Sequence, residues 1–236
     1  MKLYQAFIYP IAKSYQNNSD RTPVRILHSY AFNKGKCLPP WSGINVKGWA
    51  LDSGAFTADS QDSTIDHDAY MEYAASCSSE HIFGLDVIGD PDATQLNLER
   101  EWKAGLKTIP TIHFGQATQE RIDWAKSGPT GKIGIGGIAR RGFKDRWNHV
   151  VDVFRMAWPC KIHALGVSDP GILAAFPFDS ADASIAMCIK FAQYDCYNLN
   201  MNIPQTTEKC WNLVAWRQDL ERKLTAQWRP FWEAQA

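Results

Sequence analysis

The chain has no surplus of charge, with 25 basic side chains balancing 25 acidic ones over 236 residues. No global positive field therefore advertises a nucleic-acid partner, although a local basic stripe would be enough for one. Long apolar runs are missing as well. No window approaches the ~18 uninterrupted apolar residues of a membrane span, and Met1-Lys2-Leu3-Tyr4-Gln5 lacks the core of a signal peptide. No membrane partner is expected, and the expected location is the cytoplasm. The six cysteines, at 37, 77, 160, 188, 196 and 210, form no C-x-x-C or C-x-C. That argues against a structural zinc site. Cys160, Cys188 and Cys196 lie in or beside apolar segments and read as reduced core residues. Asp59, Asp62, Asp66 and Asp68 read as solvated loop rather than a metal site.

What is present is enough apolar sequence, 45% of residues, for one sizeable core. Short apolar runs recur at Leu3–Tyr9, Val24–His28, Gly48–Asp52, His81–Asp86, Thr108–His113, Lys132–Ile135, Lys161–Leu165 and Ala175–Phe178. Amphipathic stretches at 67–79, 92–107, 116–127, 144–157 and 182–194 separate the later runs and predict helices, with Asp92, Thr118 and Ser168 as candidate N-caps. About eight strands alternating with helices predict a single α/β domain over residues 1–236, a (β/α)8 TIM-type barrel. An open doubly wound sheet is the other architecture allowed. Residues 10–23 and Asn33–Lys47 read as loops, making the amino-terminal part irregular. From about Thr207 to Gln227 a carboxy-terminal helix carries Trp216, Leu220 and Leu224 at i, i+4, i+8. That stripe packs on the barrel wall, or else Trp211, Arg217, Arg222, Lys223, Trp228 and Arg229 face a nucleic acid.

In such a barrel the active site lies at the carboxyl ends of the strands. Residues leaving the apolar runs are Asp52-Ser53-Gly54, Asp86, His113-Phe114-Gly115, Gly136-Gly137, Gly166 and Asp179. Polar or glycine residues at nearly every exit exceed what a purely structural barrel requires. Each alone has a bland alternative: Asp-Ser-Gly is a common turn, and His113 fits a structural histidine as well as a ligand-facing one. Gly134-Ile135-Gly136-Gly137 is a tight turn or bare backbone for a ligand, and not the G-x-G-x-x-G of dinucleotide sites. Arg140 and Arg141 follow it and suit either a phosphate or a solvated helix start. Asp52 and Asp179, delivered to one end of a barrel, would supply the acid/base and the nucleophile for substitution at a sugar C1′. Asp182 is the rival to Asp179, expected instead to cap a helix.

Taken in order, these segments resemble the tRNA-guanine transglycosylase superfamily. Leu51-Asp52-Ser53-Gly54-Ala55-Phe56 is similar to its D-S-G-G-[FY] motif, and Phe83-Gly84-Leu85-Asp86 to the strand carrying its base-reading aspartate. Gly134-Ile135-Gly136-Gly137-Ile138-Ala139 resembles its G-G-L-A loop, His163-Ala164-Leu165-Gly166-Val167 its L-M-G-V-G exit, and Phe178-Asp179-Ser180-Ala181 the archaeal-type F-D-S-A. The resemblance implies a double displacement with no metal and no organic cofactor. Asp179 attacks C1′ of a guanosine, and Asp52 takes the N9 proton of an incoming 7-deazaguanine base such as preQ0. Asp86 and the amides of Gly136 and Gly137 read the base, Phe56 and Leu165 sandwich it, and Ser53, His113 and Gly166 complete the pocket. Arg140 and Arg141 are its nucleic-acid contacts, and the target base is flipped.

There are departures from the family pattern. His113 stands where the family has glutamine, Ala55 adds a methyl to D-S-G-G, and the cysteine-and-histidine zinc set of the tRNA enzymes is missing. A compact chain without a zinc subdomain looks most like the DNA-acting branch of phages and bacteria, which masks guanines from restriction nucleases. DNA is therefore the expected partner (in the host cytoplasm if phage-encoded) and a monomer is allowed. The alternatives are the same exchange on tRNA, a non-catalytic relative binding nucleic acid or a deazapurine, and an unrelated retaining glycosidase.

Overall fold

The computed structural model describes residues 1–6, 23–33, 46–139, 141–184 and 207–235, with side chains in the last segment from residue 213 on. The strands are β1 (Lys2–Ala6), β2 (Val24–Ser29), β3 (Val46–Asp52), β4 (His81–Phe83), β5 (Thr108–Ile109), β6 (Thr111–His113), β7 (Lys132–Gly136), β8 (Lys161–Ala164) and β9 (Ser180–Ser184). All pairings are parallel, in the order β5-β4-β3-β2-β1-β9-β8-β7-β6. The two ends of that order are consecutive in the chain. Pro110 has no N–H to give a ladder and divides one strand into β5 and β6, while its carbonyl accepts from Gly134 N at 2.8 Å. The sheet thereby closes on itself as a (β/α)8 barrel.

The helices are α1 (Tyr30–Asn33), α2 (Ala55–Asp59), α3 (His67–Ser76), α4 (Pro91–Lys103), α5 (Gln119–Lys126), α6 (Phe143–Ala157), α7 (Pro170–Ala175) and α8 (Thr207–Glu233). Their starts are written in the sequence. Asp66, Asp90, Thr118 and Asp169 each accept backbone N–H groups of the first turn. Two of the expected caps move: Asp90 replaces Asp92 and Asp169 replaces Ser168. In both cases a proline follows at the first helical position, which makes the residue before it the cap.

One strand is misplaced by sequence pattern. Ala175–Phe178 is not the last strand: Asp169-Pro170 starts α7, which buries Ile172 and Leu173 and runs to Ala175. The strand is Ser180–Ser184, paired with β1 along its whole length and with β8 at His163↔Ser180 and Ala164↔Ala181. Residues 182–184 of the expected helix 182–194 are therefore strand, and its remainder lies outside the described residues. So do most of the expected loops 10–23 and Asn33–Lys47, together with Arg140, Cys188 and Cys196. Cys160 is partly buried against the core.

Alternation along each strand separates two cores. Ile112, Ile133, Ile135, Ile162, Ala164 and Ala181 point outward and pack under helices with Ile122, Val150, Val153 and Ile172. Inward, Tyr4, Leu27, Ala50, Phe83 and Ile109 fill the half of the barrel made by β1 to β5. The inward positions of β6 to β9 are instead Thr111, His113, Lys132, Gly134, Gly136, His163, Ser180 and Asp182. At mid-barrel the lumen is apolar on the β1–β5 side and polar on the other, with Asp52 and His81 adding polar groups toward its two ends, and packing alone does not select this.

α8 lies across the amino-terminal end of the barrel. Leu3 N donates to Glu221 Oε2 at 3.2 Å, and the Thr225 hydroxyl donates to the Met1 carbonyl at 3.0 Å. Trp216 and Leu224 are buried, as their spacing predicts, and Arg217 is buried with them. The helix therefore packs its stripe on the barrel, and Arg217 is not on a nucleic-acid-facing surface. The side chain of Trp211 lies outside the described residues. No helix among the described residues is long and apolar enough to cross a membrane.

Candidate active site

Asp52 ends β3, and the turn behind it explains the D-S-G sequence. Gly54 has φ +79 and donates its N–H to Asp52 Oδ2 at 3.1 Å. A Cβ there would stand 2.4 Å from Ser29 Oγ and 2.7 Å from Ala31 Cβ, so only glycine fits. Ser53 is buried, its carbonyl accepting from Ala31 N. Phe56 is half exposed on α2. The Ala55 methyl, the departure from D-S-G-G, is buried outside the barrel with Leu51, Tyr70, Ala74 and Leu85.

Asp86 sits in a loop gripped by α4. Glu101 Oε1 accepts from Leu85 N at 3.0 Å, Asn97 donates to the Leu85 carbonyl at 3.1 Å, and Thr94 Oγ1 accepts from Val87 N at 2.8 Å. Its Oδ2 receives His113 Nε2 at 2.8 Å. Burial pulls the His113 pKa down, but the hydrogen bond and charge of Asp86, with the charge of Asp52, more than offset it and leave it raised. The two side chains act as one unit, a carboxylate with one oxygen engaged by an imidazole.

That unit explains the bare glycine of β7. A Cβ on Gly136 would come 2.8 Å from Thr111 Cγ2 and 2.9 Å from His113 Nδ1. Gly136→Ala is expected to push the ring off Asp86 and to cost about 1–3 kcal/mol by overpacking, read as a lowered melting temperature. Gly137 follows at φ +72. Leu165 joins the inner cluster, and its Cδ1 would lie 3.2 Å from a Cβ on Gly134. Arg141 is exposed at the same rim, with its guanidinium 4.7 Å from the Phe114 ring centroid.

The structure does not bring Asp179 to this end. It precedes β9, at the amino-terminal end of the barrel, and accepts from Lys132 Nζ at 2.5 Å. There it lines a cleft of about 570 Å³ with Met1, Lys161, Arg229 and Trp232. Burial pushes its pKa up, but the Lys132 charge and hydrogen bond bring it below the ordinary carboxylate range. Asp182, expected to be a helix cap, takes the place assigned to Asp179. It lies two positions up the inward face of β9, 4% exposed, and its Oδ1 accepts from His163 Nε2 and Gly166 N, each at 3.1 Å.

Asp182 and Asp52 share one electrostatic environment. Burial, then the charges of Asp86 and Asp182, push the Asp52 pKa up to about 7, against the opposing Gly54 N–H and His113. One carboxyl poised near neutrality and one anchored by two N–H donors therefore face the mouth, beside the Asp86–His113 pair. A carboxyl raised toward neutrality suits an acid/base, and a second carboxylate fixed by N–H donors suits a nucleophile. Among the described residues no group of three His, Cys, Asp or Glu side chains is placed to hold a metal.

Lys132, His163 and Ser180 were not anticipated as polar members of the lumen. The signal was available as period-two alternation: Ser-Ala-Asp-Ala-Ser and Lys-Ile-His-Ala put every polar side chain on one face of the strand.

No protein-family model matches the sequence, and no curated protein does. Among solved structures the chain is similar in course to tryptophan synthase subunit alpha from Legionella pneumophila str. Paris. The identity is 9% and the TM-score 0.49, over 94% of this chain and 93% of that one. It is also similar to tryptophan synthase from M. tuberculosis, at 14% identity and a TM-score of 0.43 over 90% of each chain.

Proposed function

We propose that this protein is a pentosyltransferase that exchanges guanine in DNA for a 7-deazaguanine base, with Asp182 rather than Asp179 as the nucleophile. The observation that carries the reading is the pairing of Asp182 and Asp52 at one barrel mouth, one anchored by two N–H donors, the other with its pKa pushed up to about 7. The guanine specificity and the choice of DNA rest on the ordered resemblance of the strand exits to the guanine transglycosylases.

In the first half-reaction Asp182 Oδ2 attacks C1′ and the C1′–N9 bond breaks. Asp52, as the neutral acid, gives its proton to the departing guanine. In the second, Asp52 takes the N9 proton of the incoming base, N9 attacks C1′, and the sugar–aspartyl ester breaks to restore the Asp182 carboxylate. A pKa near 7 suits a group that must both give and take a proton. Asp86 accepts from the N1–H and 2-amino group of the base through the oxygen not engaged by His113. Phe56 and Leu165 supply its apolar walls, and Arg141 stands at the rim for a phosphate of a flipped nucleotide.

The test is uptake of labelled guanine or preQ0 into DNA and, separately, into bulk tRNA. Label in DNA is the expected result, and label in tRNA moves the substrate to the alternative. Guanine release without uptake marks a hydrolase. No reaction with either nucleic acid leaves a binding protein.

A further inference from the structure

A continuous polar chain crosses the inside of the barrel from one end to the other. Lys132 Nζ, with side-chain exposure of 4%, donates to Asp179 Oδ2 at 2.5 Å, Ser180 Oγ at 2.7 Å and His81 Nε2 at 3.0 Å. Ser180 Oγ stands 2.8 Å from His163 Nδ1, and His163 Nε2 stands 3.1 Å from Asp182 Oδ1. Ser180 and His163 are fully buried between Tyr4 and Phe83, whose rings pack on the imidazole.

Donor capacity fixes the direction of this chain. An ammonium has three N–H donors and no acceptor, so Ser180 Oγ and His81 Nε2 both accept from Lys132. Among the described residues the Ser180 proton then has one acceptor within reach, His163 Nδ1. A ring accepting at Nδ1 carries its proton on Nε2 and aims it at Asp182. The opposite tautomer would leave the serine proton without a partner and set a nitrogen lone pair against a carboxylate. Stability does not account for such an arrangement. Well-packed apolar side chains in place of a buried ionic network are often neutral or stabilising.

We propose that Lys132, Ser180 and His163 are positioning residues, which lock the imidazole tautomer and hold Asp182 Oδ1 so that Oδ2 is presented at the barrel mouth. Asp179, the residue first expected to be the nucleophile, is the counter-ion that pins Lys132 at the far end. The orienting role toward a nucleophile rests on the base-exchange reading, whereas the tautomer does not. Ser180 itself is enclosed and reaches no substrate.

Long-range nitrogen–proton NMR spectra of ¹⁵N-histidine-labelled protein test the tautomer directly, with the His163 signal assigned by its loss in His163→Asn. The expected spectrum has Nε2 protonated and Nδ1 bare, and that preference weakens in Ser180→Ala and in Lys132→Met. In the exchange assay both variants are expected to lose kcat roughly 10- to 100-fold, the range for removing a group that orients a ligand or catalytic side chain, with KM unchanged. Lys132→Met keeps the test open should Ser180→Ala fold poorly. A wild-type ring protonated on Nδ1, or on both nitrogens, overturns the proposal. So do variants that exchange at the parent rate. If the parent exchanges no base at all the functional reading fails, and the spectra alone decide the relay.

Discussion

Asp182→Asn is expected to abolish base exchange, with a loss on the order of 10⁴-fold or more, because an amide cannot form the sugar ester. Asp182 Oδ1 is held by two N–H donors, and an asparagine carbonyl can accept both, so the fold should tolerate the change. Asp179→Asn is expected to do the reverse. It leaves the mouth intact and stays within about tenfold of the parent rate, since Lys132 still holds Ser180 and His81. Its cost falls on stability, because an ammonium 4% exposed loses its counter-ion. With the Asp179 side chain 26% exposed, the loss should sit near the lower end for a broken buried pair, about 3 kcal/mol, or roughly 5–10 °C in melting temperature. Steady-state exchange and thermal melts of the two variants, measured side by side, separate the assignments: rate lost without stability for Asp182, stability lost without most of the rate for Asp179. Equal rate losses would contradict the account.

Asp52→Asn is expected to make the protein more stable and less active. The native Asp52 pKa is about 7 against 3.8 for the free group. Between those pH values the native state keeps a proton that the unfolded chain has lost, so the Asp52 contribution to stability falls as pH rises through this window. The stabilisation is complete below about pH 4 and gone above about pH 7. Asparagine removes the ionisation, so the variant should match the parent near pH 4 and exceed it at pH 8. The full shift would correspond to about 4 kcal/mol, and partial contact with water at the mouth brings the expectation to about 2–4 kcal/mol, or roughly 5–15 °C. Exchange should fall about 10²- to 10⁴-fold with loss of the acid/base group. In the parent, kcat/KM for the nucleic acid should decline above about pH 7, where Asp52 no longer has a proton for the leaving base. Melting curves of parent and variant at pH 4 and pH 8 decide the first part, and a variant whose advantage over the parent does not grow across that range would refute it.

Where an apolar run ends in a polar residue, the sequence was legible. Asp52, His113 and Gly136 close β3, β6 and β7, and Asp86 follows β4 by three residues, because the outward Trp, Leu and Ile side chains of those strands made visible runs. The last strand offered no such run. Ala181 and Ala183 face outward, while Ser180 and Asp182 face a polar lumen, so the segment has neither bulk nor hydrophobicity to announce a strand. The more apolar Ala175–Phe178 drew the assignment instead, although Asp169-Pro170 had already committed the preceding residues to a helix. The error put the proposed nucleophile three residues away along the chain and at the other end of the barrel. The relay was hidden for a related reason: a lysine, a histidine and a serine on three strands reveal a common purpose only once the register brings them within hydrogen-bond distance.

The most direct measurement is the site of the covalent intermediate. The protein is mixed with guanine-containing DNA without an incoming base, quenched in denaturant, digested, and the modified peptide fragmented in a mass spectrometer. The account predicts a deoxyribose ester on Asp182. An ester on Asp179 or Asp52, or exchange that proceeds with no ester at all, would contradict it.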